Sequence, residues 1–87
     1  MKAVVTVIGK DMVGIIAKAA VTCAEANANV LEVTQSVLQE YFAMVMLIDI
    51  TDINMEFSEL AEALEKNVEG MEVHVMHEDI FNSMHRI

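Results

Sequence analysis

The sequence predicts a single α+β domain, residues 1–87, with elements in the order βαββαβ: a four-stranded antiparallel sheet carrying two helices on one face. Three observations predict it. The runs Ala3 to Ile8 and Phe42 to Ile50 are apolar at nearly every position, as strands covered on both faces are. Val30 to Gln39 and Met71 to His77 instead alternate in polarity, as half-buried edge strands do. Between these segments lie two stretches with a helical apolar period. Right-handed crossovers interleave two βαβ units in the spatial order 4-1-3-2, which puts the two doubly apolar runs at the centre.

The first strand, Ala-Val-Val-Thr-Val-Ile, is β-branched and ends at Gly9. The first helix spans Ile15 to Ala26, with Lys18, Thr22 and Glu25 as its polar stripe and Val13, Ile16, Ala17, Ala20 and Cys23 as its apolar side. Asn27-Ala28-Asn29 ends it, because Asn tolerates the left-handed conformation. In the second strand Leu31, Val33 and Val37 point one way and Glu32, Thr34 and Ser36 the other, with Gln35 breaking the apolar row. Glu40-Tyr41 is the predicted hairpin turn into the third strand. The second helix shows Phe57, Leu60, Ala61, Leu64 and Val68 on one face and glutamates elsewhere, with Asn54 as N-cap and Gly70 just past its end. In the fourth strand Val73 and Val75 face away from Glu72 and His74. Asp79 to Ile87 predicts a short last helix with Ile80, Met84 and Ile87 on one side. The whole is a ferredoxin-like sandwich. Its outer sheet face, left apolar by the central strands, is to be covered by a second protomer, the C-terminal segment, or both.

Composition narrows the function. Hydrophobic residues make up 55% of 87 positions and the mean hydropathy is +0.44. That is rich for one small core and implies oligomerisation, a dimer in the first instance. No apolar run reaches the roughly 18 residues of a membrane span, and the N-terminus enters a strand pattern without a signal-peptide core, so the expected setting is cytoplasmic. The net charge is −9, and the five basic residues (Lys2, Lys10, Lys18, Lys66, Arg86) are scattered. Direct binding to nucleic acid or to an anionic membrane needs a basic footprint, so neither is expected. Glu56, Glu59, Glu62, Glu65 and Glu69 read as a solvated helix face. The single cysteine, Cys23, reads as a core hydrophobe.

Two of the three glycines, Gly9 and Gly14, bracket one short turn in a chain without proline. Two readings stay open. In one, Asp11 caps the first helix, Gly9 ends the strand and Gly14 permits close helix–sheet packing. In the other, backbone N–H groups at the helix start and the Asp11 carboxylate hold a small molecule bearing an anion and an ammonium. The turn is not a nucleotide fingerprint, since neither G-x-G-x-x-G nor the P-loop pattern is present. His74 and His77 lie three apart on a strand and so point to opposite faces, a poor start for a metal site even with Glu78, Asp79 and His85; no metal or other cofactor is expected. Asp49, late in an apolar strand, is the one odd acid, and no nucleophile or acid–base pair can be assembled, so no enzyme is expected. The eight methionines read as adaptable core filler.

Lys10-Asp11-Met12-Val13-Gly14-Ile15-Ile16, then a helix, then Asn27-Ala28-Asn29-Val30 and Gln35, resembles the ACT-domain family of small-molecule sensors. The start Val-Val-Thr-Val-Ile-Gly-Lys-Asp and the ending His77-Glu78-Asp79-Ile80-Phe81-Asn82 with Met84-His85-Arg86 look closest to small stand-alone ACT proteins, which in turn resemble the ACT modules of the glycine-cleavage repressor. The resemblance implies a βαββαβ dimer that binds an amino acid or similar ligand between subunits. It also implies contacts from Asp11 and Asn29 and from backbone around Gly14 and Ile15. The implied site is thus Gly9, Lys10, Asp11, Met12, Val13, Gly14 and Ile15 with Asn29 and Val30. Val13 stands where the family has proline, and Asn27 where it has glycine. Asp11 in place of a neutral contact favours a ligand ammonium. With no fused enzyme or DNA-binding domain, the implied effect is on a separate partner or on assembly; a ligand-free interaction module is the alternative.

Overall fold

Seven elements follow one another in the computed structural model: β1 (Lys2–Gly9), α1 (Ile15–Glu25), β2 (Asn29–Leu38), β3 (Tyr41–Asp49), α2 (Phe57–Asn67), β4 (Glu72–His77) and α3 (Glu78–Met84). The structure describes residues 1–10, 14–68 and 71–84. The expectations placed on Asp11, Met12, Val13, Glu69, Gly70, His85, Arg86 and Ile87 lie outside the described residues.

The strands form one antiparallel sheet in the order β2-β3-β1-β4, the order expected from the two doubly apolar runs. β1 and β3 are central. Their inward residues, Ala3, Val5 and Val7 on β1 and Phe42, Met44, Met46 and Ile48 on β3, join Ile15, Ala19 and Cys23 of α1 and Leu60 and Leu64 of α2 in one buried core. On β4, Val73 and Val75 sit opposite Val7 and Val5 and complete the same face. His77 shares that face and stacks on Phe57, ring centroids 4.2 Å apart. His74 points the other way, its Nε2 3.1 Å from Glu72 Oε1. The outer sheet face is partly roofed: α3 packs on β1 and β4, and Val4, which points away from the core, is only 4% exposed. The exposed Ile8, Tyr41 and Val45 are left on that face. No helix among the described residues is long and apolar enough to cross a membrane.

Five local expectations are corrected. The buried side of α1 is Ile15, Ala19, Thr22 and Cys23, while Ile16 is exposed, so the face is rotated from the one expected. The reason is Thr22, whose hydroxyl donates to the Lys18 carbonyl at 2.9 Å and accepts from Asn67 Nδ2 at 2.9 Å. A threonine with both hydrogen-bonding needs met inside the protein can be buried at little cost. In β2, the register shifts between Val30 and Glu32, leaving Leu31 in a bulge and exposed instead of in row with Val33. The hairpin turn is Gln39-Glu40, one residue earlier than expected, because Leu38 pairs with Tyr41 and Gln39 takes a positive φ of 56°. The N-cap of α2 is Glu56, in a capping box with Glu59 whose Oε1 accepts the Glu56 N–H at 3.4 Å. Asn54 instead clamps the end of α1, its Nδ2 donating to Glu25 O at 2.9 Å and its backbone N–H to Ala26 O at 3.0 Å. Finally, α3 begins at Glu78, and Ile80 is exposed while Phe81 is half-buried, so Ile80 is not on its packed side.

Candidate functional site: the turn after the first strand

Gly14 is the N-cap of α1 at φ 73° and ψ 2°, a left-handed conformation that L side chains adopt only at a cost. A Cβ there would meet nothing within 4 Å, so close helix–sheet packing is not its reason; backbone shape is. From this position its carbonyl accepts the Lys18 N–H at 2.9 Å and starts the helix. Ile15 follows at once and is 4% exposed, so its side chain pins the turn to the core while its backbone stays at the helix end. At Gly9 a Cβ would overlap the thioether of Met71, and that flexible side chain would have to move aside. Lys10 is exposed, with Nζ 5.7 Å from the centre of the Tyr41 ring, a cation–π approach that ties the start of the turn to the β2–β3 hairpin. Helix α1 thus offers its first N–H groups, unpaired within the helix, next to the left-handed Gly14.

Asn29 and Val30 open β2. Asn29 is exposed and sits opposite Asp49; Val30 pairs with Ile48 and packs partly on the core. The loops around them are stapled. Asn27, at φ 61°, ends α1 in the left-handed conformation expected of it, and its Nδ2 donates to Asp52 O at 2.9 Å. Asp49 Oδ1 accepts from the Thr51 hydroxyl at 2.6 Å and from the Thr51 N–H at 2.9 Å. These bonds, the hydroxyl first, hold the Asp49 pKa below its ordinary value.

The register separates the two halves of the expected site. Gly9 pairs with Phe42 at one end of β3, and Asn29 pairs with Asp49 at the other. Seven residues of strand at about 3.3 Å each keep them roughly 23 Å apart. Within one protomer, therefore, Gly9 and Gly14 do not share a pocket with Asn29, although the resemblance groups them in one implied site. The cause is the crossover: α1 carries the chain back so that β1 and β2 run parallel, which puts the start of β2 at the end of the sheet opposite the turn.

The sequence profile of the ACT domain matches residues 2–78. The chain belongs to the ACT-domain family. A UPF0237 protein of Methanocaldococcus jannaschii is 47% identical over 88 residues, covering 99% of this chain and 98% of that one. The solved structure of an ACT domain protein from Streptococcus pneumoniae superposes with a TM-score of 0.79 at 32% identity, over 93% of each chain. The regulatory subunit of aspartate kinase from Thermus thermophilus, in ligand-free form, gives a TM-score of 0.64 at 27% identity, over 85% of this chain and 49% of that one. A putative glycine cleavage system transcriptional repressor gives 0.68 at 20% identity, over 85% and 43%, a likeness of fold.

Proposed function

We propose that this ACT domain is a non-enzymatic regulatory module that binds a small amino-acid-like molecule between two copies of itself, using Asp11, Asn29 and backbone N–H groups near Gly14. The observation that carries the reading is the separation of Gly14 and Asn29 within one chain combined with an open β2 edge. β2 holds only one ionisable residue, Glu32, and exposes Leu31 at 43% and Val37 at 59%. Edge strands are ordinarily guarded by charge, as β4 is by Glu72 and His74. A two-fold axis that pairs β2 with its copy makes the pair antiparallel. The start of one β2 then lies beside the end of the other, on the side where the second copy carries its Gly9–Gly14 turn.

Such a site links ligand concentration to assembly, which is how a module without catalytic groups can signal to a separate partner. The regulatory role of the Thermus thermophilus relative supports this direction. The test is calorimetry and thermal shift against the proteinogenic amino acids. One chemical class should bind and raise the melting temperature, and Asp11→Ala should weaken binding by about tenfold while leaving the oligomer intact. No binding by any of them, or binding indifferent to Asp11→Ala, contradicts the proposal.

A second reading has its own observation. The outer sheet face exposes Ile8 at 45%, Tyr41 at 48% and Val45 at 38%, which suits a partner protein held without any small molecule. Capture of a partner that amino acids do not affect, and that Val45→Glu abolishes, would favour it.

A further inference from the structure

A groove of about 430 Å³ runs along the outside of the helical layer between α1 and the C-terminal end of α2, lined by Ala17, Lys18, Val21, Thr22, Glu25 and Asn67. Its volume falls within the range of small-molecule sites, about 300–1,000 Å³. It shares no residue with the turn or with the start of β2.

The floor of the groove is set by hydrogen-bond bookkeeping. Thr22 is 4% exposed, and its single hydroxyl proton goes to the Lys18 carbonyl. The oxygen can therefore only accept from Asn67, which fixes the amide with Nδ2 toward Thr22. Asn67 Oδ1 is then left as an oriented acceptor with no partner among the described residues. Lys18 and Glu25 are both exposed, and neither has an ion-pair partner among the described residues. They stand seven residues apart, two helical turns or about 10.5 Å along the axis. Val21, 55% exposed and between them, and Ala17, just before Lys18, supply an apolar wall.

We propose that this groove is a second small-molecule site, built for a short zwitterion. Its carboxylate pairs with Lys18, its ammonium with Glu25 and its side chain lies on Val21; in a dipeptide the amide N–H also meets Asn67 Oδ1. One amino acid spans about 3.5 Å and two about 7 Å, and a charge-assisted bond adds about 2.8 Å at each end. Lys18 and Glu25 reach from long, flexible side chains, so both lengths can be met, and a free amino acid and a dipeptide carry the same recognisable chemistry.

The experiment is an NMR titration of isotope-labelled protein with leucine, with alanyl-alanine, and with their N-acetylated and C-amidated derivatives. Saturable shifts are expected at the Asn67 side-chain amide and the Val21 methyls with at least one of the two parent compounds, which identifies the source. Removing either terminal charge, or introducing Lys18→Met or Glu25→Gln on these exposed positions, should weaken binding about tenfold. Asn29→Ala should leave it unchanged, which separates this groove from the site proposed above. Shifts confined to Gly14 and Asn29, no saturable shift with either parent compound, or shifts that survive the Lys18→Met and Glu25→Gln changes would each overturn the proposal.

Discussion

At Gly14 the backbone stands at φ 73° with open space where a Cβ would go, so a side chain there costs conformational energy and nothing else. Gly14→Ala should destabilise the protein by about 1–2 kcal/mol in chemical denaturation. Gln39 presents the opposite case: a long side chain at φ 56° in a two-residue turn. Gln39→Gly should stabilise by about 1 kcal/mol, and a loss would mean that the Gln39 side chain holds the hairpin by contacts of its own. Cys23 is fully buried, and desolvation pushes its thiol from 9.0 up to about 11. Folded protein should therefore resist thiol reagents at pH 8 and react only on unfolding. The raised value means that the folded state holds its proton more tightly, so the associated stability is present below about pH 9 and is lost as pH rises toward 11. At the acid end the sign reverses. Asp49 is held ionised by Thr51, so its contribution is present above the ordinary carboxylate pKa and is lost as pH falls through the depressed one. Asp49→Asn should flatten the acid limb of a melting-temperature profile; an unchanged limb would remove Asp49 from the account.

Among the elements, the sheet order was legible because Ala3 to Ile8 and Phe42 to Ile50 are apolar on both faces, a pattern only central strands need. The amphipathic α2 was legible for the same kind of reason, with Leu60 and Leu64 buried and Glu56, Glu59, Glu62 and Glu65 exposed. What escaped the sequence depends on partners distant along the chain. Thr22 looks like a polar-stripe residue until Asn67, 45 residues later, donates to it. The Leu31 bulge has no glycine to announce it, and a glutamate is an unusual N-cap that only the reciprocal Glu59 makes intelligible. Leu64→Ala, at a fully buried position between α2 and the sheet, should cost about 2–5 kcal/mol in equilibrium unfolding.

For the molecule as a whole, the candidate site was half legible. The bracketing glycines marked the turn, and Gly14 has the left-handed backbone that gives such a marker physical content. Asn29 lies at the other end of the sheet, as the parallel β1 and β2 of a βαβ unit require, with Gly9 opposite Phe42 and Asn29 opposite Asp49. On the proposed reading, one chain holds two half-sites at opposite ends of a sheet, and a dimer across β2 would join them. The most direct test mixes two weakened proteins, one carrying Asp11→Ala and the other Asn29→Ala, at a ligand concentration where neither alone binds measurably. If each site takes its turn from one chain and Asn29 from the other, mixed dimers hold one intact site and one doubly defective site. Re-equilibrated equal mixtures should then recover binding at about a quarter of all sites. No recovery in a mixture proven to exchange subunits would contradict the shared site.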